Sequence, residues 1–108
     1  IAAKYLASQG LKILERNHRN KIGELDIIAK DGEIFIIVEV KAKTGTGAGS
    51  PEEMVNYYKQ KKLINTAKAY FMLKGIENPN WRIDVVAVDF DIFGDHQINW
   101  LKNAVEDF

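Results

Sequence analysis

The pattern of apolar and polar positions predicts an α/β chain built from short elements. Apolar residues at helical spacing run from Ile1 toward Gly10, a residue typical of the position just after a helix. Three apolar or alternating runs follow, at residues 11–17, 23–30 and 33–43, and they predict three strands. Because the first helix starts without a capping residue, we expect some of its N-terminal residues to precede the numbered chain.

The second half of the chain predicts one long helix and two further strands. Residues 50–53, Ser-Pro-Glu-Glu, combine a serine N-cap, a proline at the first helical position and a capping-box glutamate. Residues 81–90 are rich in valine and predict a fourth strand, and residues 96–101 predict a fifth. The order of helix, three-strand meander, helix and two strands predicts a single domain over residues 1–108, an α/β sandwich with a mixed five-stranded sheet.

Composition narrows the class of protein. The chain has 108 residues, 46% of them hydrophobic, and no cysteine, which excludes a disulfide frame, a thiolate zinc site and a cysteine nucleophile. No apolar run approaches the roughly 20 residues that cross a bilayer. We therefore expect a globular domain in the cytoplasm, without a membrane partner.

Charge is balanced overall and uneven along the chain. The net charge is zero, but residues 41–82 carry eight positive and three negative side chains, whereas residues 83–108 carry one and six. A local basic field attracts polyanions such as nucleic acid even when the whole molecule is neutral. The same lysines also fit a solvated helix face, and the sequence leaves both interpretations open.

A two-residue turn predicted at Asp31-Gly32 sets the register of the second and third strands. In that register Glu24 lies opposite Glu39, and Asp26 lies opposite Ile37. Side chains alternate along strands, so four charged residues share one face at the end away from the turn: Glu24, Asp26, Glu39 and Lys41. The opposite face is apolar and comprises Leu25, Ile27, Ile34, Ile36, Val38 and Val40.

This charged face predicts a divalent metal site. Like charges across a sheet destabilise it, and one ammonium cannot neutralise three carboxylates. Magnesium, or manganese in its place, prefers oxygen ligands such as Asp26, Glu39 and the Val40 carbonyl. Lys41 could then position or deprotonate an attacking water or stabilise charge on a phosphate. The alternative is a structural ion pair between Lys41 and Glu24 or Glu39.

Two segments, Gly-Glu-Leu-Asp-Ile-Ile-Ala at 23–29 and Val-Glu-Val-Lys-Ala-Lys at 38–43, resemble the Asp…Glu-X-Lys core of the restriction-endonuclease-like superfamily. They resemble more closely the YraN-like family of small bacterial proteins, which is similar to archaeal Holliday-junction resolvases. The resemblance covers essentially the whole chain, with further matches at Tyr5, Leu6, Gly10, Ile13, Leu14, Asn17, Arg19, Val55, Lys59, Lys62, Leu63, Ala67, Tyr70, 82–86, Ile98, Asn103 and Ala104.

The resemblance implies a magnesium-dependent endodeoxyribonuclease that acts on structured or branched DNA. It assigns Asp26 and Glu39 as metal ligands and Lys41 as the catalytic lysine, and by analogy it allows a homodimer. The charged sheet face adds Glu24 as a further catalytic candidate. The chain departs from the pattern at Lys43, where the family often has arginine, and a further glutamate common in such nucleases would precede Ile1. The alternative is a non-catalytic nucleic-acid-binding or protein-scaffold domain that keeps the endonuclease-like fold.

Candidate contacts to the DNA backbone come from basic residues outside the acidic core, because phosphate binding is insensitive to sequence. Arg19 could reach a phosphate or pair with Glu24. The glycine-rich segment 44–50 is expected to be a mobile loop beside the site, or else a phosphate nest. The residues assigned to nucleic-acid binding are Arg19, Lys43, Lys59, Lys61 and Lys62.

Overall fold

A computed structural model of the protein describes residues 1–44 and 57–105. In chain order these residues form α1 (Ala2–Ser8), β1 (Lys12–Arg19), β2 (Glu24–Asp31), β3 (Ile34–Thr44), α2 (Tyr57–Leu73), β4 (Trp81–Phe90) and β5 (His96–Val105). The predicted helix start at 50–53 and, beyond Thr44, the glycine-rich loop lie outside the described residues. None of the described helices is long and apolar enough to cross a membrane.

The strands form one sheet in the order β1-β2-β3-β4-β5. β3 and β4 pair in parallel, and the other neighbouring strands pair antiparallel. A parallel pair needs a crossover connection, and α2 lies in the chain between these two strands. The predicted α/β architecture with a mixed five-stranded sheet is therefore confirmed.

The two faces of the sheet bury separate apolar clusters. Residues of α2 pack on one face, where the buried residues are Leu25, Ile28, Ile37, Leu63, Ile64, Ala67, Tyr70, Phe71, Ile83, Val85 and Val105. Residues of α1 pack on the other, where the buried residues are Ala2, Leu6, Leu11, Ile27, Ala29, Ile36, Val38, Val86 and Val88. The central strands are apolar on both faces, as expected of strands covered on both sides.

The hairpin between β2 and β3 corrects the predicted register. Asp31 pairs with Ile34 and does not lie in the turn, so the turn residues are Gly32 and Glu33. Gly32 takes φ +60°, the positive angle that the first central residue of a type II′ turn requires. The register differs by two residues from the predicted one, and Ile28 lies opposite Ile37.

The predicted pairs of Glu24 with Glu39 and of Asp26 with Ile37 are therefore wrong. Because the shift is even, most side chains keep the face predicted for them. Leu25 is the exception: it packs in the α2 cluster with Ile28, not with the apolar face to which the alternation assigned it.

β5 is longer than predicted because a buried carboxylate holds its second half. Asp84 in β4 is fully buried and accepts hydrogen bonds from Trp100 Nε1 at 2.9 Å and from the Asn103 backbone N–H at 2.8 Å. Asn103 has φ +53°, and the pairing of β4 with β5 is irregular there. This bulge lets β5 continue through a polar stretch that ended the predicted strand.

Polar and aromatic contacts hold α2, and the residue just after it, against β1 and the turn that follows β1. The His18 ring meets the Tyr70 ring edge-on, with 5.0 Å between the ring centroids. The Asn20 amide donates to the Thr66 carbonyl at 3.2 Å, and Lys74 Nζ lies 3.5 Å from a Glu15 carboxylate oxygen. These contacts fix the position of α2 relative to the sheet end where β1 finishes and β2 begins.

Candidate metal and nucleic-acid site at one end of the sheet

The charged residues gather at the end of the sheet where β2 begins and β3 finishes. Because these strands are antiparallel, Glu24 at the start of β2 and Thr44 at the end of β3 lie at the same sheet end. Thr44 also lies beside Phe90, so β4 finishes here as well. Acidic and basic side chains from β2, β3 and α2 can therefore meet at this end of the sheet.

The paired part of β2 and β3 stops at Ile27 and Val38, although both strands continue. One step further, Asp26 Oδ2 accepts a hydrogen bond from the Val40 backbone N–H at 2.8 Å. A side chain thus takes the place of a main-chain partner in the ladder. This bond holds the half-buried Asp26 carboxylate against β3, next to Glu39.

The Asp26 and Glu39 carboxylates are close enough to perturb one another. The pKa of Glu39 is raised from 4.5 to about 7, first by burial and then by hydrogen bonding to Asp26 and the negative charge of Asp26. Lys41 and Lys59 oppose this rise. The site therefore holds two neighbouring carboxylates whose full ionisation is unfavourable without an added positive charge.

Two lysines complete the cluster. Lys41 follows Glu39 by two residues on the same strand face, and Lys59 projects from the first turns of α2. The pKa of Lys41 is lowered, chiefly by hydrogen bonding to Lys59 and then by burial, while Glu39 and Asp26 act in the opposite direction. Lys41 therefore gives up its proton more readily than an ordinary lysine.

Glu24 does not join the carboxylate pair. Its exposed carboxylate forms an ion pair with the Arg19 guanidinium, from the strand position directly opposite. Among residues 1–44 and 57–105, no three His, Cys, Asp or Glu side chains are grouped to hold a metal ion. The prediction that three carboxylates meet here is therefore wrong: the β2–β3 register does not place Glu24 opposite Glu39, and Glu24 pairs instead with Arg19 on β1.

The remaining predicted residues border the cluster on two sides. Lys43 Nζ lies 3.7 Å from a carboxylate oxygen of Asp89, its neighbour on β4. Lys62 is exposed on α2 and lies against Gly23, whereas Lys61 is half-buried. The Val40 N–H donates to Asp26, whereas the role of the Val40 carbonyl as a metal ligand is still a prediction.

Sequence reasoning missed the approach of Lys59 to Lys41 and Glu39. The sequence predicts Lys59 only as part of a basic helix face that contacts the DNA backbone. The i, i+3 spacing of Lys59 and Lys62 could have shown that both point the same way. No pattern in the sequence gives the distance from that face to β3, because it depends on how α2 packs.

The donor set fits a hard divalent cation. Magnesium is typically held by one or two carboxylates, with waters and substrate phosphates filling the remaining positions. Asp26 and Glu39 supply two neighbouring carboxylates, and the pKa of Glu39 is raised first by burial and then by the hydrogen bond to Asp26 and the repulsion from its negative charge. A cation at this point would relieve that repulsion.

The fold and this cluster define a small α/β domain with a carboxylate pair and two lysines at one end of a mixed sheet. The chain belongs to the uncharacterised protein family UPF0102, whose model matches residues 1–88. This family is the YraN-like family, so the resemblance drawn from the sequence is confirmed.

Close relatives cover nearly the whole chain. A UPF0102 protein of Clostridium botulinum (strain 657 / Type Ba4) is 43% identical over 108 residues, covering 98% of this chain and 88% of the relative. A UPF0102 protein of Chlorobaculum parvum is 50% identical over 112 residues, covering 96% of this chain and 84% of the relative.

Among solved structures, SfsA of Pyrococcus furiosus in complex with Ca²⁺ aligns with 97% of this chain at 16% identity and a TM-score of 0.36. The chain spans 60% of the SfsA chain. A likeness at this level supports no conclusion about activity.

Proposed function

We propose that the protein is a metal-dependent nuclease that hydrolyses phosphodiester bonds in structured or branched DNA. The observation that carries this proposal is the contact between the Asp26 and Glu39 carboxylates beside Lys41 and Lys59. Two ionised carboxylates held together at the end of a sheet repel one another, and such a perturbed pair is typical of a functional site. The resemblance of residues 23–29 and 38–43 to the Asp…Glu-X-Lys core supports the same assignment for Asp26, Glu39 and Lys41.

Asp26 and Glu39 are the residues that would hold Mg²⁺ or Mn²⁺. When bound, such a cation polarises a phosphoryl oxygen and stabilises the leaving oxygen. The Val40 N–H keeps the Asp26 carboxylate in a fixed orientation, which favours a preorganised site.

Lys41 positions the attacking water and accepts its proton as the water oxygen bonds to phosphorus and the bond to the leaving oxygen breaks. Its lowered pKa increases the fraction of lysine that can accept a proton. Lys59, next to Lys41, places a second positive charge where the phosphate would lie and stabilises the charge that develops there.

The basic residues around the cluster would hold the DNA backbone. We assign this role to Arg19, Lys43, Lys59, Lys61 and Lys62. We infer a cytoplasmic location, because DNA lies there, and a homodimer would serve symmetric cutting of two strands.

The proposal is tested by incubating the purified protein with junction, flap, single-stranded and linear DNA in Mg²⁺, Mn²⁺ or EDTA. Glu39→Gln and Lys41→Gln are compared with two matched controls, Glu33→Gln at the hairpin turn and Lys12→Gln on β1. We expect metal-dependent cutting that is lost in the first two variants and retained in the controls.

Cutting that is equal in all variants would assign the activity to a contaminant and overturn the proposal. Binding of DNA without cutting by the wild-type protein would support the other function that the sequence leaves open, a non-catalytic nucleic-acid-binding or scaffold domain. One observation favours this second function. The site brings together two carboxylates, and among residues 1–44 and 57–105 no group of three His, Cys, Asp or Glu side chains could hold a metal ion.

A further inference from the structure

The turn between β1 and β2, residues 20–23, is a rigid element at the same sheet end as the carboxylate pair. The Asn20 N–H donates to the Gly23 carbonyl at 3.0 Å. Asn20 Oδ1 accepts from the backbone N–H groups of Ile22 at 2.9 Å and Gly23 at 3.3 Å. The Asn20 amide also donates to the Thr66 carbonyl on α2, so the turn is fixed to the helix.

This rigid turn presents an apolar side chain. Turn positions usually carry Gly, Pro, Asn, Asp or Ser, which have conformational or hydrogen-bonding reasons to be there. Ile22 occupies the tip of this turn with 46% of its surface exposed. A β-branched side chain on a fixed support can make an apolar contact with little loss of conformational entropy.

Three cationic side chains and the acidic Glu24 line a surface pocket with this isoleucine. Arg19, Lys21 and Lys62 line one pocket of about 460 Å³ together with Ile22. Arg19 also pairs with Glu24, whereas Lys21 and Lys62 extend from exposed positions on the turn and on α2. Positive charges around an apolar tip match a ligand with a phosphate backbone on the outside and an apolar ring face at its centre.

The turn lies close to the carboxylate pair and is joined to it by two elements. Gly23 packs so tightly on α2 that a Cβ there would lie 2.9 Å from Thr66 Oγ1 and 3.0 Å from Lys62 Cε. Along α2, Lys62 is one helical turn from Lys59. Along β2, Asp26 lies three positions after Gly23, which is about 10 Å at the rise of a strand.

We propose that the β1–β2 turn is a second DNA subsite, which recognises the end of a base-paired segment at a fork or branch. In this arrangement Lys21 and Lys62 hold phosphates, and Ile22 packs on the exposed face of the last base pair. That face is free only where the duplex ends, because inside a duplex it would first have to be unstacked. The inference rests on the proposed nuclease function and specifies the form of DNA that the site takes.

The test is fluorescence anisotropy in EDTA, where no cutting takes place. One probe is a DNA duplex with a fork at one end and a hairpin loop at the other, and the second is the same duplex closed by loops at both ends. We expect the wild-type protein to bind the forked probe more tightly. Ile22→Ser should weaken binding of the forked probe about 5-fold and leave the closed probe unchanged.

Two comparisons make the test specific. Leu73→Ser replaces an apolar side chain that is 68% exposed at the far end of α2, and it should change binding of neither probe. Lys21→Gln should weaken binding of both probes and lower the slope of log affinity against log salt by about 1.

Wild-type affinity of Ile22→Ser for the forked probe, or equal losses on both probes, would overturn the subsite. Failure of the nuclease proposal gives a different result. In that case the wild-type protein shows no metal-dependent cutting, but it still prefers the forked probe in EDTA.

Discussion

The Asp26 carboxylate accepts a hydrogen bond from the Val40 backbone N–H at 2.8 Å, just past the last main-chain pair of β2 and β3. This bond gives Asp26 two roles. It closes a gap in the sheet by satisfying a main-chain donor, and it holds a carboxylate beside Glu39, where a cation can be shared. The two roles can be separated by substitution.

Asp26→Asn should fold normally and lose DNA cleavage. The asparagine oxygen still accepts from Val40, whereas the negative charge is gone, and we expect a fall in rate of about 100-fold or more. Asp26→Ala should also lose about 1–2 kcal/mol of unfolding free energy, because the Val40 N–H is left without its acceptor. Urea unfolding and cleavage assays on both variants check this, and a destabilised Asp26→Asn would contradict it.

Stability should fall as pH rises through the range in which Glu39 titrates. The pKa of this group is about 7 in the folded protein and near 4.5 in the unfolded chain. Between these values the folded state holds a proton that the unfolded state has released, so the unfolding free energy decreases with rising pH. Above about pH 7 the contribution is constant.

Since the site borders solvent, we expect Glu39 to contribute a decrease of about 1–2 kcal/mol between pH 5 and pH 8. Urea unfolding at the two pH values measures it. Glu39→Gln should remove this part of the pH dependence and Glu33→Gln should retain it. An unchanged pH profile in Glu39→Gln would show that the group titrates normally.

Removal of the buried carboxylate of Asp84 should destabilise the fold strongly. Arg82 Nε donates to this carboxylate at 2.9 Å, and Trp100 and Asn103 donate as well. Asp84→Ala leaves these donors and the Arg82 charge without their partner, which should cost about 3–5 kcal/mol. Asp95→Ala, at the exposed turn between β4 and β5, should change stability by less than about 0.5 kcal/mol. Equal effects in thermal or urea unfolding would contradict this account.

The position of the cut should reflect the distance between the two subsites. About 10 Å of β2 separates the β1–β2 turn from Asp26, which corresponds to about three nucleotide steps of 3.4 Å. A forked substrate labelled at one end should therefore be cut within about three or four nucleotides of the fork, as mapped on a sequencing gel. Cuts spread evenly along the duplex would show that the fork does not set the register.

The sequence predicts the elements and most of the side-chain faces well, because alternation in β2 and β3 survives an even shift in register. It does not predict the register itself. Asp31-Gly32-Glu33 can place its glycine at either central position of a two-residue turn, and the chain adopts the placement with Gly32 first. The partner of Asp26 on β3 changes as a result.

The candidate site is predicted in part for similar reasons. Asp26, Glu39 and Lys41 lie close together on neighbouring strands, so local patterns suffice to bring them together. Glu24 is lost from the group because the β2–β3 register does not place it opposite Glu39, and it pairs instead with Arg19 on β1. The position of Lys59 beside Lys41 and Glu39 depends on how α2 packs against the sheet, which no local sequence pattern encodes.

The most direct test of the central claim is a Mn²⁺ titration followed by electron paramagnetic resonance, which counts bound cations without requiring a substrate. At pH 8 we expect the wild-type protein and Glu33→Gln to bind one Mn²⁺ per chain, and both Asp26→Asn and Glu39→Gln to lose that binding. At pH 6 the wild-type protein should bind more weakly, because the raised pKa of Glu39 leaves its carboxyl protonated. Absence of binding by the wild-type protein, or equal binding by all four proteins, would contradict a cation site at Asp26 and Glu39.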